Sequence, residues 1–360
     1  MKYLNYGLLI FVVLALLADW LHWSPVVVFF AAALGVVPLA GFMGTATEEL
    51  AVYTGPKIGG LLNATLGNAA ELIITIVAIR AGAMNPDQQE GLMQLVKASI
   101  TGSIIGNLLL ILGFSVLMGG LKFGTQMFDR RQAGVNATML ILAIIALAVP
   151  SLFSYSMEPL YHDGVEYLSI GVAIVMIIIY ALSVLFSFRS ASTAGTHQAE
   201  AEPHTPAWGL RTAIIVLVAA TAAIAILSEV LVGSVEHVVA QLGITEFFLG
   251  IILIPLVGNV AEHVVAIQVA LKNKMELSLA ISLGSSLQVA LFVAPLLVFI
   301  SLLLNNPLTL TFNNFEVIAL FGASLIAAMI AQDGESNWLE GAQLLAVYLI
   351  IGIAFFFLPA

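Results

Sequence analysis

Two five-residue frames hold the residues whose types and spacing allow chemistry. Gly67-Asn68-Ala69-Ala70-Glu71 and Gly258-Asn259-Val260-Ala261-Glu262 stand 191 residues apart, each inside an otherwise apolar run. Asn and Glu at i and i+3 share one helix face, and the glycine ahead of them loosens the helix there, helped in the second frame by Pro255. A carboxylate in such a run costs at least a few kcal/mol inside a membrane, so its recurrence in matching frames points to function. Two carboxylates with amide and hydroxyl oxygens form a hard, all-oxygen environment. That suits Ca2+ and, to a lesser degree, Mn2+ or Mg2+. Backbone carbonyls released at broken helices can join the shell. Once the cation leaves, Glu71 and Glu262 facing each other in a low dielectric cannot both stay ionised cheaply. Cation and protons therefore compete for the same oxygens, the minimum requirement for antiport, and Glu71 and Glu262 are expected to meet near the bilayer midplane as the metal ligands.

Other polar residues lie near these frames. Gly102-Ser103-Ile104-Ile105-Gly106-Asn107 and Gly284-Ser285-Ser286-Leu287-Gln288 stand 182 residues apart. Ser103, Asn107, Ser285 and Gln288 either ligand the ion, directly or through water, or hydrogen-bond neighbouring helices. Glu48, Glu49 and Glu236, the last beside His237, fall at the ends of apolar runs and read as cytoplasmic entrance or gating groups, or as solvated helix termini. His263 follows Glu262 and titrates near neutral pH, which suits a proton relay. A helical neighbour points about 100° away, so helix packing explains it equally well.

The elements that must position these groups are membrane helices. The chain has 360 residues, 61% of them hydrophobic and only 9% charged, and its mean hydropathy is +1.08. No soluble domain covers that much apolar surface. A net charge of −10 argues against nucleic acid, and the absence of cysteine excludes thiolate chemistry. Apolar runs at about 26–43, 60–80, 97–121, 134–155, 166–188, 210–232, 246–271, 277–304, 315–331 and 341–358 follow a first run within residues 1–24. That first run reads as an uncleaved span bordered by Trp20 and Trp23 rather than as a signal peptide. The expected fold is an all-α polytopic membrane protein of about eleven helices.

The chain divides into an N-terminal helix (1–24), a first five-helix unit (25–188), a polar cytoplasmic linker (189–209) and a second five-helix unit (210–360). Three landmarks recur in order across the halves: the two frames, the Gly-Ser stretches, and the weaker pair Thr47-Glu48-Glu49 and Val235-Glu236-His237. This marks an internal duplication. Five is odd, so the copies enter the membrane from opposite sides, the inverted-repeat plan of secondary transporters. Nine of the eleven Lys and Arg fall on one side of the alternating loops and two, Arg80 and Lys97, on the other. The positive-inside rule then puts the N-terminus and the linker in the cytoplasm. The linker, with His197, Glu200, Glu202 and His204, reads as a solvated hinge.

At GNAAEL (67–72), GNVAEH (258–263), GSSLQVALFVAP (284–295) and GTATEELA (44–51), the chain resembles the calcium/cation antiporter superfamily, specifically its cation/proton exchanger branch. The resemblance covers essentially residues 26–358. It implies Ca2+ export or sequestration driven by protons, with Glu71 and Glu262 shared between Ca2+ and H+ and Asn68 and Asn259 beside them. Other divalent cations are further candidates, no cofactor is expected, and assembly with further copies of the same chain stays open. The length resembles that of prokaryotic members, which implies a plasma membrane. Gly106 stands where a polar residue is expected, so the site is expected to be less symmetric than the duplication. A sodium/calcium exchanger of the same fold is the nearest alternative, and a passive cation channel is a more distant one. An intramembrane metalloenzyme is poorly served by six His and no H-E-x-x-H motif.

Overall fold

The computed structural model describes residues 6–157, 164–193 and 206–358. Nearly all of it is helix, as apolar runs with no water to satisfy backbone groups require. In order come α1 (Ile10–Trp20), α2 (Pro25–Leu66) and α3 (Ala69–Met84). Next are α4 (Pro86–Phe123), α5 (Arg130–Met157), α6 (Gly164–Thr193) and α7 (Leu210–Leu242). Last come α8 (Glu246–Gly258), α9 (Val260–Ala270), α10 (Met275–Leu303), α11 (Asn314–Asp333) and α12 (Trp338–Phe356). Among the described residues eight helices are long and apolar enough to cross a membrane, and the bent pair α8–α9 makes a ninth. The short apolar α1 and the segment from the break at Gly55 through α3 fall outside that group, so eight or nine spans by length and composition stand against the eleven expected from sequence.

Two helices run further than their apolar stretches. α2 continues through Thr45–Tyr53 to a break at Gly55, where φ is +82°, a conformation that favours glycine. Thr45, Thr47 and Thr54 do not interrupt it, because their hydroxyls bond the carbonyls of Gly41, Met43 and Leu50 one turn back. α7 likewise runs 33 residues, to Leu242. These two long helices pack antiparallel: Tyr53 Oη donates to the Trp208 carbonyl at 2.8 Å near one end, and Ser24 Oγ to Gln241 Oε1 at 3.4 Å near the other. The linker is shorter than expected, since α6 extends through residues 189–193. His197, Glu200, Glu202 and His204 lie outside the described residues.

The loops gather at two ends. At the Trp208 end, strand β1 (Gln126–Met127) pairs antiparallel with β2 (Glu335–Ser336), Lys122 Nζ donates to the Leu271 carbonyl and Gln126 Nε2 to that of Ala270. At the opposite end the segment 304–312 is sewn into the bundle. Asn306 Nδ2 donates to the Ile79 carbonyl, and Lys97 Nζ to Thr311 Oγ1 and Thr309 Oγ1.

In each half a broken span is followed by a long buried helix. Gly102 of α4 meets the backbone of α8 so closely that a Cβ there would overlap the Ile251 carbonyl, and Gly250 of α8 faces the Leu95 carbonyl in the same way. Small residues allow this backbone-to-backbone approach between membrane helices. It brings the helix that carries Ser103 against the span that carries Asn259.

Candidate functional site

Both frames fall at breaks. Asn68 (φ −96°, ψ 16°) separates the end of α2 from α3, and Asn259 (φ −109°, ψ 8°) separates α8 from α9, where the axis bends by 62°. Glu71 and Glu262 therefore sit in the first turns of α3 and α9. The unpaired N–H groups and the dipole at a helix start favour a negative side chain there.

Each cluster mixes the two halves of the chain. Glu71 is almost wholly buried, at 1% exposure. Its Oε1 accepts from Ser99 Oγ at 3.1 Å and from Ser103 Oγ, and its Oε2 accepts from Asn259 Nδ2 at 3.3 Å. Asn259 Nδ2 also reaches Ser103 Oγ at 3.2 Å. Gly258 abuts this carboxylate: a Cβ there would lie 3.2 Å from Glu71 Cβ. In the other cluster Ser285 Oγ donates to Asn68 Oδ1 at 3.2 Å, and Asn68 Nδ2 donates to Gln288 Oε1 at 3.0 Å. Ser285 and Glu262 line the same cavity, and Glu262 Oε2 is shielded from solvent and has no partner.

Asn107 extends the second cluster to His263. Its Nδ2 donates to Ser285 Oγ at 3.1 Å, and its Oδ1 accepts from His263 Nε2 at 3.2 Å. Asn107 lies in a π-helical stretch, Gly106–Ile111, of α4, and Gln288 immediately precedes the corresponding stretch, Val289–Val293, of α10. Such stretches widen the helix locally and often mark functional positions.

The two carboxylates differ in access. Glu262 lines a cavity of about 340 Å3 together with Thr45, Glu48, Ile281, Ser285 and Gln288. Glu71 is sealed behind its three donors. The cavity lies toward the Trp208 end, because Thr45 and Glu48 belong to the turns of α2 just before Gly55.

Of the residues singled out from sequence, Glu71, Ser103 and Asn259 are thus gathered into one polar cluster, and Asn68, Asn107, His263, Ser285 and Gln288 into a second beside Glu262. The gating residues divide. Glu48 is on the cavity, whereas Glu49 is buried and accepts the Trp208 N–H at 3.2 Å. Glu236 corrects the sequence-level expectation of a shared cytoplasmic entrance. The uninterrupted α7 carries it 26 residues beyond Leu210, roughly 39 Å at 1.5 Å per residue. There it accepts from Gln88 Nε2 at the end opposite Trp208. His263 is turned to Asn107, and its Nδ1 is buried without a partner.

Two residues escaped the sequence reading. Ser99 lies four residues before Ser103 on the same helix face, a spacing that was available as a signal. Glu316 is a third buried carboxylate. It accepts from Thr101 Oγ1 at 2.6 Å and from the Asn313 N–H at 2.7 Å as part of the capping box that starts α11, so its oxygens are committed to structure.

Comparison with known proteins shows what the whole chain is similar to. The model of the family described as "Sodium/calcium exchanger protein" matches residues 24–189 and 212–357. A Ca(2+)/H(+) antiporter of Aphanothece halophytica is 45% identical over 98% of this chain and 96% of its own length. The Ca(2+)/H(+) antiporter ChaA of Bacillus subtilis is 42% identical over 96% of each. Among solved structures, native YfkE superposes with a TM-score of 0.84 at 40% identity, covering 98% of this chain and 100% of that one.

Proposed function

Because the chain belongs to the sodium/calcium exchanger family, we infer that it is a secondary transporter that exchanges Ca2+ for protons across a membrane by alternating access. The single observation that carries this reading is the crossing of the halves at the buried carboxylate: Asn259 of the second frame donates to Glu71 of the first. A carboxylate of one frame held by the amide of the other makes one site rather than two.

Glu71 and Glu262 are the shared ligands for Ca2+ and protons. Asn68, Asn259, Ser103, Asn107, Ser285 and Gln288 supply amide and hydroxyl oxygens or hold the carboxylates in place. The set contains no sulfur and one imidazole facing an amide, which suits a hard cation. Proton binding neutralises the empty site, so that it can reorient without burying net charge. Protons moving inward then drive Ca2+ outward.

The positive-inside rule makes the Trp208 end cytoplasmic, so the cavity at Glu262 is the inward-facing entrance. Glu48 and Glu236, a landmark pair of the duplication, lie toward opposite ends of the bundle, which supports two five-helix units inserted in opposite senses. The prokaryotic relatives support a plasma membrane as the location.

The test is uptake into proteoliposomes under a pH gradient, a Na+ gradient and no counter-gradient. A pH gradient is expected to drive Ca2+ uptake, and Mn2+ more slowly. A Na+ gradient at fixed pH is expected to drive none, and substantial uptake under that gradient would make the protein a sodium/calcium exchanger instead. Ca2+ flux at channel rates without any counter-gradient would make it a pore.

A further inference from the structure

The two carboxylates of the site occupy equivalent positions in the duplication but are not held alike. Three donors converge on Glu71: Ser99, Ser103 and Asn259. The 182-residue offset that pairs Ser103 with Ser285 pairs Ser99 with Ile281 and Gly106 with Gln288. Each difference takes a donor away from Glu262. Ile281 has no hydroxyl to offer. Gln288 accepts the Asn68 amide, so Asn68 does not do for Glu262 what Asn259 does for Glu71. Ser285, the counterpart of Ser103, gives its single hydroxyl proton to Asn68 Oδ1 instead. Glu262 Oε2 has no partner, and the residue lines the cavity.

We propose that Ser99 is a positioning residue for exchange: it pins the Glu71 carboxylate as the fixed wall of the site, while Glu262, which lacks that donor, is the mobile ligand that meets the cation in the cavity. This rests on the proposed Ca2+/H+ exchange and deepens it. Ser99 is itself wholly buried, and its one hydroxyl proton goes to Glu71 Oε1. Fixing one ligand and freeing the other lowers the ordering required when the cation binds, and it leaves one side chain able to turn from the cavity into the site.

Ser99→Ala, Ser99→Thr and Ile281→Ser are compared with the parent protein in pH-gradient-driven Ca2+ uptake, with the maximal rate and KM resolved. Gel filtration and thermal unfolding in detergent confirm that each is folded. Ser99→Ala is expected to raise the KM for Ca2+ roughly tenfold, with a maximal rate within about twofold of the parent, and Ser99→Thr to recover most of that affinity. Ile281→Ser gives Glu262 the missing donor and is expected to do the reverse, lowering the maximal rate several-fold at nearly constant KM. Ser99→Ala with unchanged KM, or Ser99→Thr as impaired as Ser99→Ala, overturns the proposal. Should Ser99→Ala fail to fold, Ile281→Ser decides alone, and an unchanged maximal rate in it sinks the idea. Absence of pH-driven uptake in the parent would instead remove the function on which the proposal rests.

Discussion

Asn259 is the residue on which the joining of the two halves turns. Its amide donates to Glu71 Oε2 and to Ser103 Oγ, so Asn259→Ala removes the bonds that cross from one frame to the other. A hydrogen bond to a charged group is worth about 1.5–3 kcal/mol, and the apparent Ca2+ affinity should fall roughly 10- to 100-fold. An affinity within twofold of the parent would mean that the contact is ornamental. Glu71→Gln and Glu262→Gln keep the shape of each side chain and remove the charge. Both should abolish pH-driven exchange while the protein still elutes as a monodisperse species, and near-normal exchange by either would end the shared-site account. His263 was expected from sequence either as a relay or as a packing residue, and its bond to Asn107 favours a positioning role. His263→Ala should lower the maximal rate and leave the shape of the pH–rate profile in place. A displaced profile would return it to the proton path.

Broken and closely packed elements bring these residues together, and they were legible to different degrees. The membrane class and the duplicated frames could be read directly, because a lipid environment forces helices and makes a buried carboxylate conspicuous. Breaks at the frames were anticipated from Gly67, Gly258 and Pro255, and they fall at Asn68 and Asn259. The extension of α2 and α7 past their apolar runs was not legible. Thr45, Thr47, Glu48 and Glu236 lower the local hydropathy without disturbing helical hydrogen bonding, so a span boundary was read where the helix continues. Glu236 was misplaced by its pairing with Glu48, which put both at one entrance, although a span that starts at Leu210 carries it to the opposite end. Ser99 was passed over for a different reason: its partner Glu71 is 28 residues away, and a lone serine in an apolar helix is usually satisfied by its own backbone. The backbone contact between Gly102 and Ile251 is another element-level feature invisible to periodicity. Gly102→Ala introduces a methyl group into the carbonyl of α8. Overpacking of this kind typically costs about 1–3 kcal/mol, so the solubilised protein should unfold several degrees lower, with exchange reduced in parallel. Unchanged melting would show that α4 and α8 have room to separate.

At the scale of the whole molecule, access is one-sided. One carboxylate lines a cavity of about 340 Å3, and its duplicate is sealed. Alternating access requires the same site to become reachable from the opposite end, where Glu236 and Gln88 now hold α7 against the start of α4. On the proposed sharing of oxygens between Ca2+ and protons, raising the pH on the side to which the site is open should lower the apparent Kd for Ca2+. In the limit where one proton leaves per cation, the change approaches about tenfold per pH unit. The most direct test of the shared carboxylates is the number of protons released when Ca2+ is added to the purified protein in weakly buffered solution. The parent should acidify the medium in proportion to Ca2+ bound, and the double variant Glu71→Gln/Glu262→Gln should release none. Proton release undiminished in that variant would place the exchanged protons elsewhere and contradict the account.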